Sequence, residues 1–252
     1  DGWAPLPIDW LEQHGHLLAD LLSARSDTGE VARHALLDLA RLAEALDQPP
    51  PPDLEGLRTL LDGFDGVKSI ELPADLEVEL RDYQQKGVDW LGFLREQQFG
   101  GILADDMGLG KTLQALAIMK AGEKNLVVAP TSVLHNWLME SARFRPGLKT
   151  CRFHGPNRKI DPKADLVVTT YGVLRMDQEK LREQNWNVVV LDEAQAIKNP
   201  ESQSAQAAFS LQSDFRLAMT GTPVENRLDE LWSQLHFSNP GLLGGRSDFR
   251  TR

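Results

Sequence analysis

The 252-residue chain holds one cysteine, Cys151, which excludes an intramolecular disulfide framework and any metal site built from several cysteines. Long apolar runs are lacking too: stretches such as 188–191 last only a few residues, so none reads as a bilayer-spanning helix and no membrane partner is expected. No basic-then-apolar leader opens the sequence, which points to the cytoplasm. Position 1 is Asp1 and not methionine, so a piece of a longer protein is expected. Glycine (20) and proline (14) are too few for a low-complexity fibre, and no internal repeat is present. What remains, 41% hydrophobic and 25% charged, is the composition of a globular protein. Its length sits near the upper limit for one core, so one domain plus an appendage is expected.

The net charge of −10 is unevenly placed. Residues 1–78 carry 5 basic against 16 acidic side chains, whereas residues 79–252 carry 22 against 21. The acidity therefore belongs to the N-terminal segment. Within the remainder, Arg143, Arg145, Lys149, Arg152, Arg158, Lys159 and Lys163 face only Asp161 between positions 143 and 163. A polyanion could dock on such a stretch despite the global sign, although charge runs are also ordinary solvated faces.

Apolar residues recur three or four apart over 9–24 and 30–47, the spacing of amphipathic helices. Four prolines at 49–52 stop any helix and favour a stiff connector, and 54–61 has room for one more short helix. The expected organisation is an acidic helical region over 1–70 and a larger domain over 71–252. From about residue 79 the pattern becomes short apolar runs between helical stretches, which predicts an α/β fold with a mostly parallel sheet flanked by helices. Strands are expected at 101–104, 126–129, 150–153, 166–169, 188–191 and 216–219. Ligands of such sheets bind beyond the carboxyl ends of the strands.

The residues after those runs are the ones that carry chemistry. After the first come Asp105, Asp106, Met107, Gly108, Leu109, Gly110, Lys111 and Thr112, then a helical pattern. Glycines let a loop curl so that its N–H groups meet phosphate oxygens, with a helix N-terminus adding to the field. Lys111 would reach the β and γ phosphates of ATP and the Thr112 hydroxyl would ligate Mg2+. The generic pattern wants glycine where Asp105 stands. After the fifth run come Asp192 and Glu193, two adjacent carboxylates at a buried strand end, costly unless a cation needs them. Asp192 would hold Mg2+ and Glu193 would orient the attacking water. Thr220, Gly221, Thr222 and Pro223 follow the sixth run as a tight turn. Upstream of the first, Arg81 and Gln84 precede a helical pattern through Val88, Trp90, Leu91 and Leu94, and the Gln84 amide could read an adenine edge.

In this order the set Leu80 to Gln84, DDMGLGKT, VVAPTSVLHNW, TTYGVL, LDEAQAIKN and LAMTGTPVENRLDELW resembles the first RecA-like motor lobe of the Swi/Snf-type ATPases, in superfamily two. The resemblance spans roughly residues 72–250, and its spelling is most like bacterial members. Asp105 is ordinary in that family's loop. The resemblance implies a DNA-dependent ATPase and translocase that uses ATP and Mg2+ and remodels protein–DNA complexes. By the same resemblance Gln84 recognises adenine, Lys111 and Thr112 belong to the nucleotide loop, and Asp192 with Glu193 forms the magnesium and water-positioning pair. Pro130, Thr131 and Ser132, together with Thr169, Thr170 and Tyr171, match segments that follow the backbone of double-stranded DNA through hydroxyls and backbone N–H groups. His154 and Arg158 match a further family pattern inside the basic stretch, which would then face DNA.

Motors of that kind work as two lobes, and no second lobe is legible here. Arg246, Arg250 and Arg252 read as surface charge. The missing second-lobe arginine implies a chain that binds ATP·Mg2+ weakly and hydrolyses scarcely any. A DEAD/DEAH-type RNA helicase lobe shares the loop and the carboxylate pair but usually has Ser-Ala-Thr where Thr220 to Thr222 stand. A non-catalytic assembly or regulatory module is the alternative from another class. The acidic region 1–70 could cover the basic face, mimic DNA or recruit a protein partner.

Overall fold

Each of the six apolar runs forms a strand: β1 Gly101–Leu103, β2 Asn125–Ala129, β3 Thr150–Arg152, β4 Leu166–Thr170, β5 Asn185–Leu191 and β6 Gln212–Met219. They make one sheet in the order β1-β6-β5-β2-β4-β3, with every neighbouring pair parallel. A computed structural model of the chain describes residues 66–221 and 228–243, with six isolated earlier positions, 15, 18, 21, 39, 42 and 43. Those six are helical. The rest of the N-terminal helices expected over 9–24, 30–47 and 54–61, the proline connector, Thr222 with Pro223, and Arg246, Arg250 and Arg252 lie outside the described residues. By contact the chain divides into Val67–Asn239, which carries the whole sheet, and a unit of Asp1–Gly66 with Pro240–Arg252.

β2 and β4 are buried along their full length, and β5 from its second residue on. Strands covered on both faces have no solvent side to mark with polar residues, so their sequences read as continuous apolar runs. Side chains nevertheless alternate between two cores. Val127, Ala129, Val190 and Leu217 face one, with Leu116 and Trp137; Leu126, Val128, Val189 and Ala218 face the other, with Val173, Leu174, Ala208 and Phe237. Helices α1 (Asp82–Glu96), α2 (Lys111–Ala117) and α3 (Thr131–Phe144) supply the first cover. Helices α4 (Tyr171–Met176), α5 (Gln178–Arg182), α6 (Gln203–Phe209) and α7 (Leu228–Ser238) supply the second. Within α1, Val88 and Leu91 are buried as their spacing predicts, but Trp90 turns outward, 45% exposed, and stacks on Phe93.

Arg145, counted with the basic stretch on charge grounds, is fully buried and cannot serve a polyanion. Its Nε donates to Asp75 Oδ1 at 3.0 Å, and one terminal nitrogen donates to the carbonyls of Leu116 and Met119. Leu116 lies in the last turn of α2 and Met119 just beyond its end, so the guanidinium clamps the exit of that helix from a position at the end of its own helix α3. Removing it takes one donor from each carbonyl and leaves the Asp75 carboxylate without its ion pair. Arg145→Met should cost about 3 kcal/mol in a denaturant titration, with Lys149→Met, at an exposed position, within about 0.5 kcal/mol of the parent.

Candidate nucleotide and metal site

Because all six strands run in parallel, the loops that follow them gather at one edge of the sheet. β1 delivers residues 104–110, the adjacent β6 delivers Thr220, and β5, next to β6, delivers Asp192 and Glu193. The Thr220 N–H donates to Leu103 O at 3.1 Å and locks the first two of these ends together.

The loop turns into α2 through Gly108 (φ 85°) and Gly110 (φ 81°), both in the left-handed region. At Gly110 a second constraint operates: a Cβ there would lie 2.4 Å from the Gln84 Nε2. Gln84 is buried at the start of α1. Its Oε1 accepts from Arg81 N at 3.0 Å and its Nε2 donates to Leu109 O at 3.1 Å, so the residue expected at the adenine is seated on the phosphate loop and braces it. Arg81 is exposed beside it, with one terminal nitrogen 3.4 Å from the Tyr83 hydroxyl. The Lys111 ammonium donates to Asp105 O at 2.5 Å and Asp106 O at 3.0 Å, closing the loop upon itself. Asp105, where a generic loop has glycine, accepts from Gln114 Nε2 at 3.0 Å and ties the loop to α2. Thr112 is half-buried in the first turn of α2, and Met107 is 78% exposed at the loop tip.

Asp192 is held from four directions. Its N–H donates to Val128 O at 2.9 Å, its carbonyl accepts from the Tyr171 hydroxyl at 2.8 Å, Oδ1 accepts from Glu193 N at 3.0 Å, and Oδ2 accepts from the Trp137 indole at 2.8 Å. Burial pushes its carboxyl above the ordinary carboxylate range, and the Glu193 charge adds to this. The indole, the Glu193 N–H and the Lys111 ammonium oppose it. Lys111 and Asp192 are thus within electrostatic reach of one another. Burial likewise raises Glu140, a residue the sequence did not single out, with Asp192 adding to the shift and the Asn136 hydrogen bond and Arg143 opposing. The Tyr171 phenol is pushed well up by burial, then by the Asp192 and Glu193 charges.

Glu193 itself adopts a left-handed backbone (φ 51°, ψ 57°), a strained state for a residue with a side chain. Its Oε2 accepts from Gln195 Nε2 at 2.6 Å, and Gln195 Oε1 accepts from the Thr220 hydroxyl at 3.1 Å. A hydrogen-bonded line thus joins the ends of β5 and β6. Among the described residues no three His, Cys, Asp or Glu side chains form a ready metal cage. A cation held by Thr112 and Asp192 would complete its shell with phosphate and water oxygens, as Mg2+ usually does.

The residues expected along nucleic acid divide into two sets. Thr131 and Ser132 are exposed in the first turn of α3, where Pro130 offers no side-chain cap and the Val133 N–H donates back to Pro130 O. The other hydroxyls turn inward: Thr169 donates to Phe153 O at 2.8 Å, Thr170 accepts from Val173 N at 3.3 Å as the cap of α4, and Tyr171 reaches Asp192. These caps and tethers correct the expectation that all of these hydroxyls face phosphate. Arg158 is ion-paired with Asp177 at 2.5 Å and donates to Gly155 O at 2.7 Å, which shapes its loop and neutralises its charge. His154, half-buried beside it, has a buried Nδ1 with no partner. With Arg145 in the core as well, the basic stretch keeps Arg143, Lys149, Arg152, Lys159 and Lys163 as its exposed cations.

A parallel sheet with a glycine loop, a lysine and an acidic pair at the same edge, on strands one apart, defines the RecA-like class of P-loop lobes. The chain belongs to the SNF2-related family, whose model, described as the SNF2-related domain, matches residues 83–252. It is 45% identical over 187 residues to YwqA of Bacillus subtilis, covering 69% of this chain and 20% of that protein. It is 34% identical over 279 residues to the TATA-binding protein-associated factor mot1 of Schizosaccharomyces pombe, covering 94% of this chain and 14% of that protein. The Sulfolobus solfataricus SWI2/SNF2 ATPase core solved in complex with double-stranded DNA superposes with a TM-score of 0.68 at 44% identity, over 73% of this chain and 40% of that one. The chain thus spans between a seventh and two fifths of the proteins it matches here. Bacterial and eukaryotic relatives are both close. Among the described residues no helix is long and apolar enough to cross a membrane.

The crowding at Gly110 gives a direct check on the loop. Gly110→Ala should cost about 1–2 kcal/mol from backbone strain and the clash with Gln84. Adding Gln84→Ala should remove the clash, so the double variant is more stable than the summed single effects by at least about 0.5 kcal/mol in a denaturant double-mutant cycle.

Proposed function

We propose that residues 71–252 are the ATP-binding first lobe of a double-stranded-DNA-dependent ATPase and translocase, with residues 1–70 as an acidic appendage. The supporting observation is that Lys111 and Thr112, after β1, and Asp192 and Glu193, after β5, stand at the same edge of the sheet with only β6 between their strands, on a chain of the SNF2-related family. The donor set fits a nucleotide with its metal: among the described residues the ammonium donates to carbonyls of its own loop, and the Asp192 carboxylate sits where burial opposes its charge. When bound, Mg2+ supplies neutralisation of phosphate charge. Thr112 and Asp192 hold it, the N–H groups of 108–112 cradle the phosphate oxygens, and Lys111 exchanges carbonyl partners for phosphate. Glu193, fixed by Gln195, orients the attacking water and draws on its proton. Gln84, with Arg81 before it at the start of α1, is the group that would recognise the base.

Exposed Thr131 and Ser132, the N-terminus of α3 and the remaining exposed cations favour a phosphate backbone over base edges, so the motor would track duplex DNA without reading sequence. Its action would be to move or strip bound protein, in the bacterial case at the nucleoid. A second lobe would supply an arginine for the transferring phosphate, worth about three to five orders of magnitude in rate in related nucleotidases.

Two measurements test this reading. In the full-length protein Lys111→Ala should lower duplex-stimulated ATP turnover by at least about a hundredfold; stimulation by RNA and not by duplex DNA would contradict the assignment. The pH dependence is set by Asp192, whose folded pKa stands above its unfolded value. Its protonated form is favoured by folding, and that contribution is full below the unfolded value and lost as pH rises through the folded one. A cation reverses the balance. The Mg2+-dependent part of the nucleotide-induced melting shift should therefore shrink as pH is lowered from 7.5 to 5, and vanish at either pH in Asp192→Asn.

A further inference from the structure

Asp192 joins parts of the molecule that the nucleotide chemistry alone does not require. Its Oδ2 accepts from the indole of Trp137, which is 1% exposed and lies in α3. α3 is the helix whose first turn exposes Thr131 and Ser132 and whose N-terminus carries no side-chain cap. Six residues separate Thr131 from Trp137, about 9 Å of continuous helix. The backbone carbonyl of Asp192 accepts from the Tyr171 hydroxyl, at the start of α4 and directly after Thr170. Its N–H donates to Val128 O in β2, the strand that leads into Pro130 and α3. Only Oδ1 is satisfied locally, by Glu193 N.

Three of the four polar atoms of Asp192 are thus held by the β2–α3 and β4–α4 connections. These connections pack beside β5 because β2 lies between β5 and β4 in the sheet. A helix is stiff along its axis, so a small shift at the Thr131 end moves the indole and with it the carboxylate oxygen. The backbone bonds to Val128 and Tyr171 hold the pivot. The geometry points to Trp137 as a positioning residue that carries phosphate contact at the exposed end of α3 to the Asp192 carboxylate, with Tyr171 holding that residue's backbone. This rests on the reading of the site as the nucleotide centre of a DNA-stimulated ATPase. DNA on α3 then sets the orientation of the metal-holding oxygen before hydrolysis, and stimulation needs no direct contact between DNA and nucleotide.

The test uses the full-length protein with duplex DNA at one fixed salt concentration. It compares the parent, Trp137→Phe and Tyr171→Phe by DNA Kd, by the ratio of ATP turnover with and without DNA, and by the Mg2+ concentration at half-maximal rate. Trp137→Phe keeps an aromatic ring and removes the donor. It should leave DNA Kd within about twofold, cut the stimulation ratio about tenfold and raise the Mg2+ requirement several-fold. A purely structural role would lower stability without moving the Mg2+ requirement. Full stimulation with an unchanged Mg2+ requirement in a folded Trp137→Phe protein overturns the inference and leaves the function standing. A parent protein that is not stimulated by duplex DNA overturns the function and the inference together. If Trp137→Phe does not fold, Tyr171→Phe decides, because it deletes one oxygen: a reduced ratio at unchanged DNA Kd supports the coupling, and an unchanged ratio overturns it.

Discussion

The grip on Asp192 is the constraint from which the rest of the site takes its shape. A carboxylate at the end of a buried strand must be compensated, and here the compensation comes from the Trp137 indole and the Glu193 N–H, with the Lys111 ammonium in reach, while Val128 of β2 and the Tyr171 hydroxyl hold the residue's backbone. The indole, the strand and the tyrosine belong to separate pieces of chain, so the aspartate is fixed only when those pieces are all in place. The sheet order makes this feasible. β5 is flanked by β6, which leads to Thr220, and by β2, which leads to α3, and both neighbours run parallel to it.

The next residue stores strain. Glu193 holds a left-handed backbone that a residue with a Cβ seldom adopts, at a cost of about 1–2 kcal/mol. Its carboxylate is tied through Gln195 to Thr220. The strain turns the second carboxylate away from the first, so two adjacent acids at one strand tip do different work: one faces the loop and α3, the other faces β6. The Glu193 charge still adds to the upward push that burial gives the Asp192 carboxyl.

Much of the architecture was legible because parallel, doubly covered strands write themselves as apolar runs. Where the strands extend beyond those runs, as at Asn185 to Asn187 and Gln212 to Asp214, the polar residues concealed the extension. The loop, the lysine and the acidic pair were legible because their residue types have few other uses at strand ends. Long-range partnership was not. Trp137 reads as one more apolar position on α3, since its indole partner is 55 residues away. Arg145 reads as a surface cation, since Asp75 is 70 residues upstream. Arg158 looks free in the sequence and is paired with Asp177 in the fold. Thr169 and Thr170 look like surface hydroxyls and serve as an internal tether and a helix cap. In each case the residue type was correct and the partner, set by tertiary contact, decided its use. The tryptophan between Asn136 and a glutamate three residues on was the one available hint, since Trp137 and Glu140 share a helix face.

The self-closed phosphate loop has a consequence for selectivity. With its ammonium docked on Asp105 O and Asp106 O, the lysine is occupied by neutral acceptors of its own chain. A newcomer has to outbid those carbonyls, and an anionic phosphate chain does so through charge, whereas an uncharged nucleoside offers only another neutral oxygen. On the proposed reading the loop would act as its own competitive occupant: adenosine would find the seat taken, and the gain from displacing the resident would grow with the negative charge a visitor brings.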